Sequence, residues 1–173
     1  MRSSLKRWKL QNQIFTDYID TPWGRILCWF IEEGPEQYLL RIVLGKAIHP
    51  DERLITVRHT LKDSCKRQFT EYLEGKRKAF DIPYIMVGTD FEKKVWSILL
   101  TIPYGETRSY RWLARKAGLP KGARAVGQAL KRNPLPILIP CHRIIQEDGG
   151  LGGYSSGVDM KRRLLDLEYY NSL

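Results

Sequence analysis

No run of apolar residues in this chain approaches the roughly 20 that a membrane helix needs. The basic start, MRSSLKRWKL, lacks the apolar core of a secretory signal behind it. The expectation is a cytoplasmic protein, nuclear if the host has a nucleus, without a membrane partner. Cysteine is scarce: Cys28, Cys65 and Cys141 are the three, too few and too scattered for a disulfide framework. Cys28 and Cys65 with His49 and His59 nominally make four zinc ligands. No C-x-x-C or H-x3–5-H spacing accompanies them, so no metal site is expected. The last absence is of one sign of charge. From Thr107 to Gln146 there is no Asp or Glu, while Arg108, Arg111, Arg115, Lys116, Lys121, Arg124, Lys131, Arg132 and Arg143 all fall there.

With 29 Lys+Arg against 19 Asp+Glu, the net charge is +10. Such an excess suggests a polyanionic partner, nucleic acid ahead of a membrane surface. The alternative is a solvated basic face. Hydrophobic content of 43% over 173 residues supports a sizeable core, as one domain or two small ones.

The first part reads as strands and turns. Residues 13–20 and 25–31 are rich in β-branched and aromatic side chains, and Thr21-Pro22-Trp23-Gly24 between them suits a turn. Gln37–Leu44 is a third strand candidate. A helix is expected over about Leu54–Glu74, with Gly75 as its stop and Leu61, Cys65, Phe69, Tyr72 and Leu73 as its core stripe. Residues 75–90 look extended and linker-like. The boundary is placed near residues 82–90, giving domains 1–85 and 86–173.

The second part reads as helical. Phe91, Val95, Ile98, Leu99 and Ile102 form one apolar face, ended by Pro103-Tyr104-Gly105. Ser109 suits the cap of a helix whose core face uses Leu113, Ala114 and Ala117. A Gly-containing turn leads to a third helix, Ala123–Arg132, which Asn133-Pro134 ends. Two short helices about such a turn make a helix-turn-helix candidate. In the third helix Ala125, Val126, Ala129 and Leu130 are expected in the core. Arg124, Gly127, Gln128, Lys131 and Arg132 share the other face, small and basic enough to approach a phosphate backbone. Leu135–Ile139 should be buried and extended. A five-glycine loop, residues 149–157, can bring backbone N–H groups near a ligand or serve as a plain surface loop. A final helix, about Val158–Tyr169, should pack Leu164, Leu165 and Leu167.

Cys141 beside His142 invites a nucleophile reading. A free thiol with pKa about 8.5 is mostly protonated at neutral pH, so reactivity needs a base. Neighbours in an extended segment point to opposite faces, so contact between the two requires a turn or a bridging water. Glu168 is a plausible orienting carboxylate. On spacing alone a structural Cys-His pair stays open beside the catalytic one.

Further residues carry a resemblance. Asn133-Pro134-x-Pro136-Ile137-x-Ile139-Pro140-Cys141-His142-Arg143 is similar to the active-site signature of the O6-alkylguanine-DNA alkyltransferases. So are Arg124-Ala125-Val126-Gly127, Ile102-Pro103-Tyr104-Gly105-Glu106-Thr107-x-Ser109-Tyr110, Leu151-Gly152-Gly153-Tyr154-Ser155 and Lys161-x-x-Leu164-Leu165-x-x-Glu168. Thr21-Pro22-Trp23-Gly24 and Tyr72-Leu73-x-Gly75-Lys76-Arg77 match the family's N-terminal domain more weakly.

The resemblance implies an α+β or α/β two-domain protein. Its N-terminal domain would be a small ribonuclease H-like sheet with a helix, and its C-terminal domain mostly helical, with a helix-turn-helix and an active-site cysteine. It implies that Cys141 accepts an alkyl group from O6-alkylguanine, irreversibly and once per molecule, with O4-alkylthymine as a further candidate substrate. His142 would be the base acting through a bound water, Glu168 its orienting partner, and Tyr110 the donor to guanine N3. Arg124 would fill the gap in the base stack when the nucleotide is flipped out, and Asn133 would tie helix to active-site segment. Gly127, Gln128, Lys131 and Arg132 would meet the DNA. Tyr154, Ser155, Pro136 and Ile144 would form the pocket. The partner implied is double-stranded DNA, gripped in the minor groove with little sequence preference by a monomer, and no cofactor is needed.

Ile144 stands where the family usually has Val, and Ser156 where Gly is frequent. The alternative function is an alkyltransferase-like damage sensor without transfer, but such relatives replace the acceptor cysteine, which is intact here. A helix-turn-helix regulator would prefer one DNA sequence, and a cysteine hydrolase would turn over repeatedly.

Overall fold

The structure is a computed structural model that describes residues 13–45 and 57–173. The chain divides into two compact units, up to Val87 and from Gly88 onward. Small antiparallel sheet and helices together make an α+β protein.

In the first unit β1 (Phe15–Thr21), β2 (Gly24–Glu33) and β3 (Glu36–Leu44) form an antiparallel meander, and β4 (Val57–Arg58) adds parallel to β1, giving the order β3-β2-β1-β4. The expected turn joins β1 to β2: Trp23 N donates to Thr21 Oγ1, and Gly24 takes φ 106°, which glycine tolerates. The central strand β2 is buried on both faces. Leu27, Trp29 and Ile31 cluster with Leu40, Val43, Ile14 and Val87. Cys28 and Phe30 alternate to the other side, where Cys65 lies close enough to Cys28 to act on it electrostatically.

Two expectations are corrected here. The helix α1 runs over Asp63–Leu73, not from Leu54. Positions 54–56 lie outside the described residues, and Val57–Arg58 pair with β1 because Thr16 and its neighbours offer an open strand edge. Gly75, with φ 74°, does end the helix, and the N–H groups of Gly75 and Lys76 close on the Tyr72 and Glu71 carbonyls. Residues 75–90 are more than a linker. Leu39 N donates to Pro83 O and Ile85 N to Leu39 O, so this segment docks on the edge of β3 and buries Ile82 and Val87.

In the second unit α2 (Asp90–Leu99) starts with a capping box between Thr89 and Glu92 and stops before Ile102, which is buried beyond the helix end. β5 (Arg108–Ser109) leads into α3 (Tyr110–Lys116), whose N-cap Ser109 accepts from Trp112 N. Gly118, with φ 83°, turns the chain towards α4 (Ala123–Lys131). A 3-10 turn, Cys141–Arg143, precedes β6 (Ile144–Ile145), which pairs parallel with β5, and α5 (Val158–Tyr170) closes the unit.

Three local readings change. Ala125 is exposed, so the core face of α4 is Val126, Ala129 and Leu130. Leu135–Ile139 is buried but folded back on itself: Ile139 N donates to Leu135 O, and Ile137 sits at φ 75°, a left-handed conformation that β-branched residues rarely take. The buried stripe of α5 is Lys161, Leu164 and Glu168 instead of a leucine stripe, because the polar pair has partners inside.

Trp96 of α2 donates from Nε1 to Ala129 O at 2.9 Å, and so anchors α4. A Cβ at Gly88 would lie 2.5 Å from this indole. Gly88→Ala is therefore expected to destabilise the unit by about 1–3 kcal/mol, measured as a lower denaturation midpoint with an unchanged denaturant slope.

Candidate active site

The chain reversal after α4 brings Cys141 back to the helix it has just left. Asn133, the first residue beyond the α4 cap, is buried and holds this return. Its Nδ2 donates to Ile139 O at 2.8 Å and to Cys141 Sγ at 3.0 Å, while Oδ1 accepts from Leu135 N at 3.0 Å. Burial pushes the Cys141 thiol up from its ordinary value. The Asn133 amide, the Lys161 charge and the Tyr154 hydroxyl act against that without overcoming it. The resting residue is a thiol at neutral pH.

His142 is fully buried beside it on the 3-10 turn, which supplies the turn that adjacent residues need to share one site. Its Nε2 is 2.9 Å from Glu168 Oε1. Arg143 clamps the same carboxylate with Nε on Oε2 at 2.9 Å and Nη2 on Oε1 at 2.8 Å, and its Nη1 donates to Ile102 O at 2.6 Å. Gly105 N donates to Glu168 Oε2 at 3.1 Å. Burial works to raise the Glu168 carboxyl, but the His142 and Arg143 hydrogen bonds outweigh it and hold the group well below the usual carboxylate range. An ionised Glu168 only accepts, so the proton of neutral His142 sits on Nε2 and Nδ1 is the basic nitrogen. Burial lowers the His142 pKa despite Glu168, which keeps the ring neutral.

By its sequence neighbours Arg143 groups with the surface basics. Here it is 8% exposed and belongs to the site's interior. Only its place next to Cys141-His142 hints at that.

A pocket of about 430 Å³ opens over the thiol, lined by Tyr110, Gly127, Leu130, Lys131, Cys141, Gly153, Tyr154 and Ser155. Tyr154 and Ser155 line this pocket together with Tyr110 and Gly127. Pro136 and Ile144 are instead buried: Pro136 pairs with Ile139 in the folded-back loop, and Ile144 lies in β6. Burial raises the Tyr110 pKa and the nearby Cys141 adds to it, so the phenol keeps its proton. Gly152, with φ 68°, allows the loop to approach Tyr110, since a Cβ there would lie 2.8 Å from its hydroxyl. On α4, Arg124, Gln128 and Lys131 are exposed, while Arg132 donates to Glu92 Oε1 at 3.2 Å. Cys28 and Cys65 are buried thiols with raised pKa, Cys65 pushed up to about 12 by burial. His49 lies outside the described residues, and His59 pairs with Glu32. No described helix is long and apolar enough to cross a membrane.

The structure is thus a small α+β protein with a buried cysteine next to a His142–Glu168 pair, set under a helix with a basic face. Comparison with known proteins makes this specific. The family model described as 6-O-methylguanine DNA methyltransferase, DNA binding domain, matches residues 90–170. A methylated-DNA–protein-cysteine methyltransferase of Methanosarcina barkeri is 43% identical over 91% of this chain and 99% of its own length. The crystal structure of Mycobacterium tuberculosis O6-methylguanine methyltransferase superposes with a TM-score of 0.82 at 37% identity, covering 92% of this chain and 94% of that one. Mycobacterium tuberculosis OGT in complex with DNA gives 0.79 at 37% identity, over 92% and 94%. The chain belongs to the methylated-DNA–protein-cysteine methyltransferase family.

Because the Glu168 carboxyl is depressed from 4.5, its stabilisation is full above that value and is lost as pH falls below it. Glu168→Gln should cost about 3–5 kcal/mol at pH 7, since it leaves the Arg143 charge buried without its partner. Melting curves from pH 7 to 3 should show a steep acid loss in the wild type and a shallower one in the variant.

Proposed function

We propose that this protein repairs DNA by moving the alkyl group of O6-alkylguanine onto Cys141, once per molecule. The observation that carries the reading is that the buried thiol lines a pocket that Gly127, Leu130 and Lys131 of α4 also line. The family's name and its DNA-bound mycobacterial relative support DNA as the partner.

His142 takes the thiol proton at Nδ1, through a bound water, while Glu168 and Arg143 hold the ring in that tautomer. The sulfur attacks the alkyl carbon, the carbon–O6 bond breaks, and the electron pair leaves with guanine. Tyr110 gives its proton to guanine N3, which turns an anionic leaving group into a neutral base. The product is a thioether, which offers no leaving group for a second displacement, and so the protein is consumed.

A target atom stacked inside a duplex is out of reach of a buried thiol, so the nucleotide is flipped into the pocket at a cost of a few kcal/mol. The pair α3 and α4 acts as a helix-turn-helix laid in the minor groove. Arg124, exposed at the start of α4, fills the vacated place in the stack, and Lys131 and Gln128 contact the backbone. Arg132, already bonded to Glu92, contributes mainly to holding α4 on α2. The sheet and α1 of the first unit are read as a ribonuclease H-like support, and the protein as a monomer.

Mass spectrometry after mixing with a duplex containing O6-methylguanine should show one methyl group, on Cys141 alone. Cys141→Ala should lose transfer but keep binding to alkylated DNA; unmodified wild-type protein would sink the reading. Arg124→Ala should slow reaction with duplex far more than with free O6-benzylguanine, and Lys131→Ala should lower the slope of binding against log salt by about 1. Equal slowing on both substrates would remove the stack-filling role.

A further inference from the structure

Between Thr107 and Gln146 the chain carries no carboxylate, and the proposed DNA face draws its cations from that stretch. The first acidic residue beyond it, Glu147, folds back onto it. Its Oε2 lies 2.7 Å from Arg111 Nη2, and its Oε1 accepts from Ser109 Oγ at 3.3 Å. Ser109 and Arg111 are the two sequence neighbours of Tyr110, which lines the pocket. Among the described residues Glu147 is the partner that Arg111 has, whereas Arg124 and Lys131 on α4 meet no carboxylate.

The pocket is walled by Tyr110 of α3, by three residues of α4 and by the loop Gly153–Ser155. A strand whose nucleotide enters it passes the mouth twice, with a backbone phosphate on either side. Arg124, Gln128 and Lys131 serve the α4 side. On the α3 side the exposed cation next to Tyr110 is Arg111, since Arg115 and Lys116 lie further along the helix. Arg108 is held more closely: it bonds Glu106 at 2.6 Å and the Thr107 carbonyl, and lies over the Trp112 ring.

We propose that Arg111 is a DNA-phosphate contact on the α3 side of the pocket, and that Glu147 competes with the DNA for it. In the free protein the carboxylate occupies the guanidinium; in the complex a phosphate oxygen takes its place. The exchange costs little. The side chains of Arg111 and Glu147 are 59% and 45% exposed, so water screens the pair and it holds weakly. A guanidinium forks onto phosphate as it does onto carboxylate. The Ser109 hydroxyl, and a turn closed by Gln146 N on Gly150 O, keep Glu147 beside its arginine. The proposal rests on DNA being the partner and is independent of the transfer step.

The test is binding of the whole chain to an undamaged duplex of random sequence over a series of salt concentrations. Glu147→Gln keeps an acceptor for Ser109 but releases Arg111, and should bind about two- to fivefold more tightly than wild type. Arg111→Ala should bind more weakly and lower the slope of log K against log salt by about 1. Asp148→Asn removes the adjacent exposed charge, which meets no arginine among the described residues, and so measures the general effect of one fewer anion. Arg111, Glu147 and Asp148 are all exposed, so the variants should melt with the wild type.

In the Arg111→Ala background, Glu147→Gln should gain no more affinity than Asp148→Asn does. A gain from Glu147→Gln that is as large without Arg111 as with it would overturn the exchange. So would a gain no larger than that of Asp148→Asn, or a salt slope that Arg111→Ala leaves unchanged. Each of these results leaves the transfer reading standing, because none involves Cys141. Absence of any duplex binding by the wild type would instead overturn the DNA reading on which the proposal rests.

Discussion

The helical unit is organised around one buried carboxylate. Glu168 accepts from His142, from two nitrogens of Arg143 and from the Gly105 backbone. A buried charge costs several kcal/mol unless it is fully paired, so these partners are held by necessity and bring their own segments with them. Arg143 reaches on to Ile102 O and thereby secures the end of the α2 region. Gly105 ties in the loop before β5, and His142 ties in the turn that carries the thiol. Orientation of the imidazole is thus a by-product of satisfying Glu168.

Around that fixed point, the three groups given roles in the proposed transfer are set in the states that reading asks of them at rest. Burial keeps Cys141 a thiol, keeps Tyr110 a phenol and keeps His142 neutral, each by penalising the charged form. A thiol is a safe resting state for a residue that, in the proposed reading, reacts irreversibly. Asn133 and Lys161 soften the penalty on the thiolate, which puts the activated form within reach of a base without making it the ground state.

Much of this is legible in the sequence, and the rest fails for physical reasons. Strands β1 and β2 are marked by β-branched and aromatic residues on either side of a clear turn, and α4 is bounded by glycine and Asn133-Pro134. Cys141, His142 and Glu168 stand in a recognisable order, and the structure places them together. The face of α5 differs from its sequence reading because hydrophobicity alone selects Leu165 and Leu167, whereas Lys161 and Glu168 go inside with partners elsewhere in the chain. Arg143 differs for the same reason: a basic residue in a basic stretch looks solvated until its carboxylate is known. The loop Leu135–Ile139 reads as extended because every residue in it is apolar, and nothing local announces that Ile137 turns left-handed.

That turn at Ile137 has a bearing on when the site exists. A β-branched residue does not adopt φ 75° on its own account, and no glycine relieves it. Here its side chain is buried at 2% exposure, between Leu135 and Ile139 at 0%. The conformation is held by packing together with the Asn133 hydrogen bonds to Leu135 and Ile139, so the segment that delivers the cysteine takes shape only when the surrounding core is complete. In a nascent, heat-loosened or clipped chain, Cys141 is an ordinary thiol in a flexible peptide. In the proposed reading, reactivity at Cys141 doubles as a certificate of correct assembly.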